Sequence, residues 1–121
     1  MIKVLVVDDN RASRDLIRAI LKGFPYEIIE ATQGQEALDQ IHKEKPNLVL
    51  LDIDMPVLDG FAVVRRIRQD SGFSNLPVVA VTGYAMEGDR EKALAAGFTA
   101  YVVKPVRASS LRRQVQELLQ A

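Results

Sequence analysis

The chain has 121 residues, with 16 Lys plus Arg against 16 Asp plus Glu, a formal net charge of zero and no cysteine. That length argues for one domain, 1–121, able to fold without a disulfide or structural metal, and the missing cysteines exclude thiolate chemistry. Zero net charge gives no general attraction to nucleic acid; no apolar run approaches the roughly 20 residues of a membrane span, and MIKVLVVDDN turns acidic too soon for a signal peptide, so a cytoplasmic protein is expected.

Residues 2–7 (IKVLVV) predict a first strand, ended by Asp8, Asp9 and Asn10. Asp9 or Asn10 is placed to cap the helix that follows. In that helix Leu16, Ile17, Ile20 and Leu21 should face inward, and Arg11, Arg14, Arg18 and Lys22 outward. Gly23 and Pro25 stop it. YEIIE, 26–30, predicts a second strand, 31–34 a loop, and 35–43 a helix with Ala37, Leu38 and Ile41 inward. Pro46 and Asn47 turn the chain into LVLLDIDMPVLDG, 48–60. Here an apolar run stops abruptly at Asp52, then Pro56 and Gly60 signal a loop. Asp59 is read as a helix cap and Gly60 as a position of loop geometry or close packing.

Phe61, Val64 and Ile67 line the next helix, which frays over 71–75. PVVAV, 77–81, predicts a fourth strand ending at Thr82-Gly83. A weakly apolar, Ala-rich helix follows over 87–96 and ends at Gly97. AYVV, 100–103, predicts a fifth strand ending at Lys104-Pro105, and a last helix runs over 108–120 with Leu111, Val115, Leu118 and Leu119 inward. Five strand–helix repeats imply an α/β fold, a (βα)5 three-layer sandwich on a parallel five-stranded sheet with right-handed crossovers.

In a parallel sheet all carboxyl ends share one edge, where ligands bind. The residues there are Asp8-Asp9, Asp52, Thr82 and Lys104. Taken singly, each fits an ordinary cap, turn or solvated residue; their coincidence at one edge does not. Like carboxylates about 4 Å apart repel by about 4 kcal/mol at an effective dielectric of 20. A cation or protonation relieves this, and oxygen ligands without His or Cys favour Mg²⁺ over zinc. With a Lys104 ammonium and a Thr82 hydroxyl the set suits phosphoryl transfer, in which a carboxylate can be the nucleophile.

This ordered set, from Asp8-Asp9 through DIDMPVLDG and Val81-Thr82-Gly83 to Tyr101-Val102-Val103-Lys104-Pro105, resembles the receiver domain of two-component response regulators across essentially the whole chain. The resemblance implies a doubly wound, flavodoxin-like sheet of order 2-1-3-4-5. It implies a phosphorylation-dependent switch without turnover of an external substrate. Asp52 is then the phosphoacceptor, and Asp8 (through a metal water), Asp9, Asp52 and the main-chain carbonyl of Asp54 hold Mg²⁺. Lys104 pairs with the phosphoryl group, Thr82 is the switch hydroxyl and Tyr101 the aromatic that moves inward. A cis Lys104–Pro105 bond is implied too. The phosphate comes from a sensor histidine kinase or histidine phosphotransfer protein, and partners read the face of the fourth helix, fifth strand and fifth helix.

Gly83 is expected to loosen the loop that Thr82 pulls. Asp54 and Tyr84, two residues past Asp52 and Thr82, are expected to affect how long the phosphoryl group lasts. His42 is expected on the surface, without a phosphorylation role.

LVLLDIDMPVLDG also resembles the opening of haloacid-dehalogenase-type phosphatases, with Asp52 as nucleophile and Asp54 as general acid/base. Met55-Pro56 after Asp54, and acids that precede the nucleophile, oppose that reading. A degenerate receiver used only for binding is opposed by the complete acid, Thr82 and Lys104 set. The start at Met1 and the end after the last helix favour a stand-alone receiver over one excised from a longer chain such as a hybrid kinase. A monomer or weak homodimer is expected, without direct DNA binding.

Overall fold

The computed structural model describes residues 1–83 and 86–120. Five strands, β1 (Ile2–Val7), β2 (Tyr26–Ala31), β3 (Leu48–Asp52), β4 (Val78–Thr82) and β5 (Ala100–Val103), alternate with five α-helices. These are α1 (Arg11–Leu21), α2 (Gly34–Glu44), α3 (Gly60–Gln69), α4 (Asp89–Ala96) and α5 (Ala108–Gln120). A single 3-10 turn at Ser71–Phe73 follows α3. The strands form one parallel sheet in the order β2-β1-β3-β4-β5. The expected doubly wound topology is therefore the observed one, and no helix is long and apolar enough to cross a membrane.

The central strands β3 and β4 are buried at every residue, and successive side chains serve opposite faces. Leu5, Val7, Val49, Leu51, Val78 and Ala80 pack under α2, α3 and α4. Val4, Val6, Leu48, Leu50, Val79 and Val81 pack under α1 and α5. Apolar runs without alternation were thus the mark of strands covered on both sides.

Local signals explain most boundaries. Asn10 caps α1 by accepting from the Ser13 N–H at 3.0 Å, and Asp59 caps α3 by accepting from Ala62 at 2.9 Å. Gly97 closes α4 at φ 119°, a left-handed conformation that favours glycine. Ala31 completes β2 and Gly34 opens α2, so the loop between them is shorter than expected. Pro77 precedes β4 rather than starting it, and Thr82 ends that strand from within.

Three expectations are corrected. Leu16 is 47% exposed. It sits about 100° around the helix from Ile17, and the sheet is covered by Ile17, Ile20 and Leu21 instead. Arg14 does not look outward: Nε donates to Glu30 at 3.0 Å and Nη1 to the Asp8 carbonyl at 2.8 Å. Helix α4 begins at Asp89, because Gly88 adopts a left-handed φ of 87° and breaks the run from Glu87.

Candidate functional site

The carboxyl edge of the sheet gathers the singled-out residues. β1 delivers Asp8, and the Asp8 N–H still donates to Ala31 of β2 at 3.1 Å, so the register persists one residue past the strand. Asp52 and Thr82 are the last residues of β3 and β4. Lys104 follows β5, with its N–H donating to the Thr82 carbonyl at 2.8 Å. Each functional side chain thus rises from backbone that is still held in the sheet.

Asp8, Asp52 and Thr82 are 1%, 4% and 2% exposed, and they are the buried polar residues among those described. Asp9 is exposed. Oxygens of Asp8, Asp9 and Asp52 lie within 4.8 Å of one another, which makes them a group able to hold a metal ion. The donor set is all oxygen and all carboxylate, which fits a hard divalent cation.

Lys104 is the counter-charge already present. Its Nζ donates to Asp8 Oδ2 at 2.9 Å and lies 3.5 Å from Asp52 Oδ2. The other oxygens have main-chain donors: Asn10 N–H to Asp8 Oδ1 at 2.8 Å, and Asp54 N–H to Asp52 Oδ1 at 2.9 Å. Burial raises the Asp52 pKa; the Asp8 charge adds to the rise, while the Asp54 N–H and Lys104 oppose it. Burial works against the Lys104 ammonium, but Asp8 and Asp52 together outweigh it, and its pKa is raised. The site therefore disfavours the charge on Asp52 and favours the charge on Lys104.

Gly60 brings α3 against this edge. Its N–H donates to the Ile53 carbonyl at 3.1 Å, and a Cβ there would lie 2.8 Å from the Asp52 carbonyl oxygen. Close packing, one of its two expected roles, is what the position requires. The Lys104–Pro105 bond is cis.

Thr82 Oγ1 donates to Asp54 Oδ2 at 2.7 Å. Tyr101 is half-buried in β5, and its hydroxyl is buried without a hydrogen-bond partner among the described residues. Burial raises its pKa, with smaller contributions from Asp89 and Asp54. Ile53, Asp54, Phe61, Thr82, Lys92 and Tyr101 line a shared cavity of about 200 Å³. Tyr84 lies outside the described residues.

Sequence reasoning missed three partners of the site. Arg14 ties the Asp8 main chain to Glu30 of β2. Ser13 Oγ sits 3.5 Å from Lys104 Nζ. The Thr82–Asp54 bond spans 28 residues. No local pattern marks any of these, since each depends on neighbours set by strand order. His42 is at the surface as expected, away from the strand ends. Its Nε2 is 2.9 Å from Asp70 Oδ2 and its Nδ1 2.9 Å from the Leu38 carbonyl, so it ties α2 to the end of α3.

The family model for the response regulator receiver domain matches residues 4–116. The chain belongs to the response regulator receiver family. Members of that family are signalling proteins, not turnover enzymes acting on an external substrate, and the phosphatase alternative falls with the match. Among curated relatives, the polar-differentiation response regulator DivK of Brucella anthropi is 37% identical over 103 residues, covering 85% of this chain and 84% of that protein. Among solved structures, the Vibrio cholerae chemotaxis protein CheY4 superposes with a TM-score of 0.90 at 30% identity, covering 98% of each chain. The receiver domain of sensor histidine kinase PA1611 from Pseudomonas aeruginosa, solved with a magnesium ion in its active-site cleft, gives a TM-score of 0.89 at 31% identity, again over 98% of each chain. This receiver thus shares its fold and length with the solved chains of a chemotaxis protein and of a sensor histidine kinase's receiver domain.

Proposed function

We propose that this receiver is a switch phosphorylated on Asp52 by a histidine kinase or histidine phosphotransfer protein. The observation that carries the reading is the convergence of Asp8, Asp9, Asp52, Thr82 and Lys104 at one sheet edge, with Asp52 4% exposed and 3.5 Å from the Lys104 ammonium. A carboxylate oxygen of Asp52 attacks phosphorus as the phosphorus–nitrogen bond of the donor's phosphohistidine breaks; the imidazole departs with that electron pair. Lys104 neutralises charge on the transferred group, and the Asp54 N–H orients the attacking carboxylate. Asp8, Asp9, Asp52 and the Asp54 carbonyl are the residues that would hold Mg²⁺, which when bound supplies charge neutralisation and orientation of the phosphoryl oxygens. The magnesium-containing kinase receiver supports this assignment by its similarity.

The phosphorylated carboxyl carries nearly two negative charges and more acceptor oxygens than a carboxylate. Thr82 and Lys104 turn toward it, and the change passes to α4, β5 and α5, the face partners read. α4 suits this role, because Ala93 is its one buried residue among those described and little apolar area resists its movement. Tyr101 already has its hydroxyl buried, so its part is a repacking within the cavity beside Thr82 rather than an entry from solvent.

The test is incubation with Mg²⁺ and acetyl phosphate followed by intact mass. One phosphoryl group per chain is expected, and none in Asp52→Asn. Labelling of that variant at wild-type stoichiometry sinks the assignment. Phosphotransfer profiling against candidate histidine kinases then identifies the donor.

A further inference from the structure

The switch hydroxyl is already engaged. Thr82 Oγ1 donates to Asp54 Oδ2 at 2.7 Å, while the main-chain N–H of the same Asp54 donates to Asp52 Oδ1 at 2.9 Å. Asp54 therefore touches both the acceptor carboxylate and the hydroxyl that has to respond to it. A hydroxyl has a single proton to donate. While that proton points to Asp54, it does not serve an oxygen on Asp52.

We infer that the Asp54 carboxylate is a latch on Thr82: it holds the switch hydroxyl in the unphosphorylated arrangement, and phosphorylation has to draw the hydroxyl's proton away from it. The inference rests on the phosphoacceptor reading of Asp52 and gives the Asp54 side chain a role separate from the metal-binding role of its carbonyl. Asp54 is a positioning residue, acting on the phosphoryl group through Thr82.

The surroundings suit a latch. Thr82 is 2% exposed, so its bond to Asp54 is shielded from competition by water. Asp54 is exposed, so water solvates its carboxylate once released. The cavity on which both open is walled by Tyr101 of β5 and by Asp89 and Lys92 of α4. Thr82 thus leaves Asp54 beside the two elements that partners read. Removing the latch raises the free energy of the unphosphorylated arrangement alone, since in the phosphorylated one Thr82 donates elsewhere.

The probe is beryllofluoride with Mg²⁺, a phosphoryl mimic that binds aspartate without covalent transfer, titrated by calorimetry and fluorine NMR. The proteins are wild type, Asp54→Ala, Thr82→Ala and the double variant. Asp54→Ala should tighten beryllofluoride about tenfold when Thr82 is present, the size expected of a hydrogen bond to a charged group. With Thr82→Ala the same change should alter affinity by less than about twofold, the additivity error of such cycles. Equal tightening in both backgrounds overturns the latch, because relief of charge repulsion needs no hydroxyl. Unchanged or weaker binding by Asp54→Ala overturns it as well. Thr82→Val repeats the cycle with side-chain shape kept, should the alanine variant not fold. If wild type binds no beryllofluoride, the phosphoacceptor reading fails and the latch with it; binding by wild type with no coupling fails the latch alone.

Discussion

Lys104→Met tests the electrostatics of the acidic edge most directly. The substitution keeps most of the aliphatic stem and removes the ammonium that lies 2.9 Å from Asp8 Oδ2 and 3.5 Å from Asp52 Oδ2. Removing one partner of a buried ion pair costs about 3–5 kcal/mol. The lower end applies here, because the Lys104 side chain is 24% exposed and each acid keeps a main-chain donor. Unfolding entropy for 121 residues is about 0.25 kcal/mol/K, so 3 kcal/mol corresponds to a fall in Tm of about 12 °C without divalent cation. A cation bound by the acids stabilises by mass action, and in the variant it no longer competes with an ammonium. Thermal melts of both proteins, with EDTA and with about 10 mM Mg²⁺, therefore give a prediction in two parts. The variant melts well below wild type in EDTA, and Mg²⁺ raises its Tm more than it raises that of wild type. Melting within about 2 °C of wild type in EDTA would falsify the view that Lys104 compensates Asp8 and Asp52. An equal Mg²⁺ shift in both proteins would remove the shared site from the account.

Asp52→Asn should be stabilising as well as unphosphorylatable: burial and Asp8 raise the pKa of Asp52, which disfavours its charged form in the folded protein, so removing that charge should raise the Tm in a thermal melt. An unchanged or lower Tm contradicts this. Gly60→Ala would place a Cβ 2.7 Å from the Ile53 Cα and 2.8 Å from the Asp52 carbonyl oxygen, both main chain. The cost should be about 1–3 kcal/mol in urea unfolding with slower labelling by acetyl phosphate, and wild-type values of both exclude the close packing. Both ring nitrogens of His42 face acceptors, the Leu38 carbonyl and Asp70, and these raise its pKa above the ordinary 6.5. Its stabilising contribution is full below 6.5 and is lost as pH rises through the higher folded value. The Tm gap between wild type and His42→Gln should therefore shrink on the alkaline side of 6.5; a constant gap means that the ring acts by packing alone.

How much of this was legible in the sequence depends on the range of the interaction. Caps are local, so Asp59 could be read directly and the cap of α1 narrowed to Asp9 or Asn10, and glycine punctuation marked the ends of α1 and α4. Inward faces were legible where a helix covers the sheet squarely, as with Ile17, Ile20 and Leu21. Leu16, at the margin of that stripe, was not: periodicity gives an angle around the helix but not the width of the sheet beneath it. It lines instead an open cavity of about 440 Å³ beside Lys104, Pro105 and Val106. Arg14 misled for a related reason, since its partner Glu30 is adjacent only because β2 lies beside β1.

The strand-end residues Asp8, Asp9, Asp52, Thr82 and Lys104 were determined by sequence alone, because a parallel sheet sends every carboxyl end to one edge whatever the strand order. What the tertiary structure decided is which oxygen meets which donor. Lys104 sits closer to Asp8 than to Asp52, and the Asp54 side chain, expected from the sequence to bear on the lifetime of the phosphoryl group, accepts from Thr82. Those choices are made over a few tenths of an ångström by rotamers and loop paths, through packing between residues far apart in the chain. Pattern in a sequence carries the period of its strands and helices, and it holds no record of such distances.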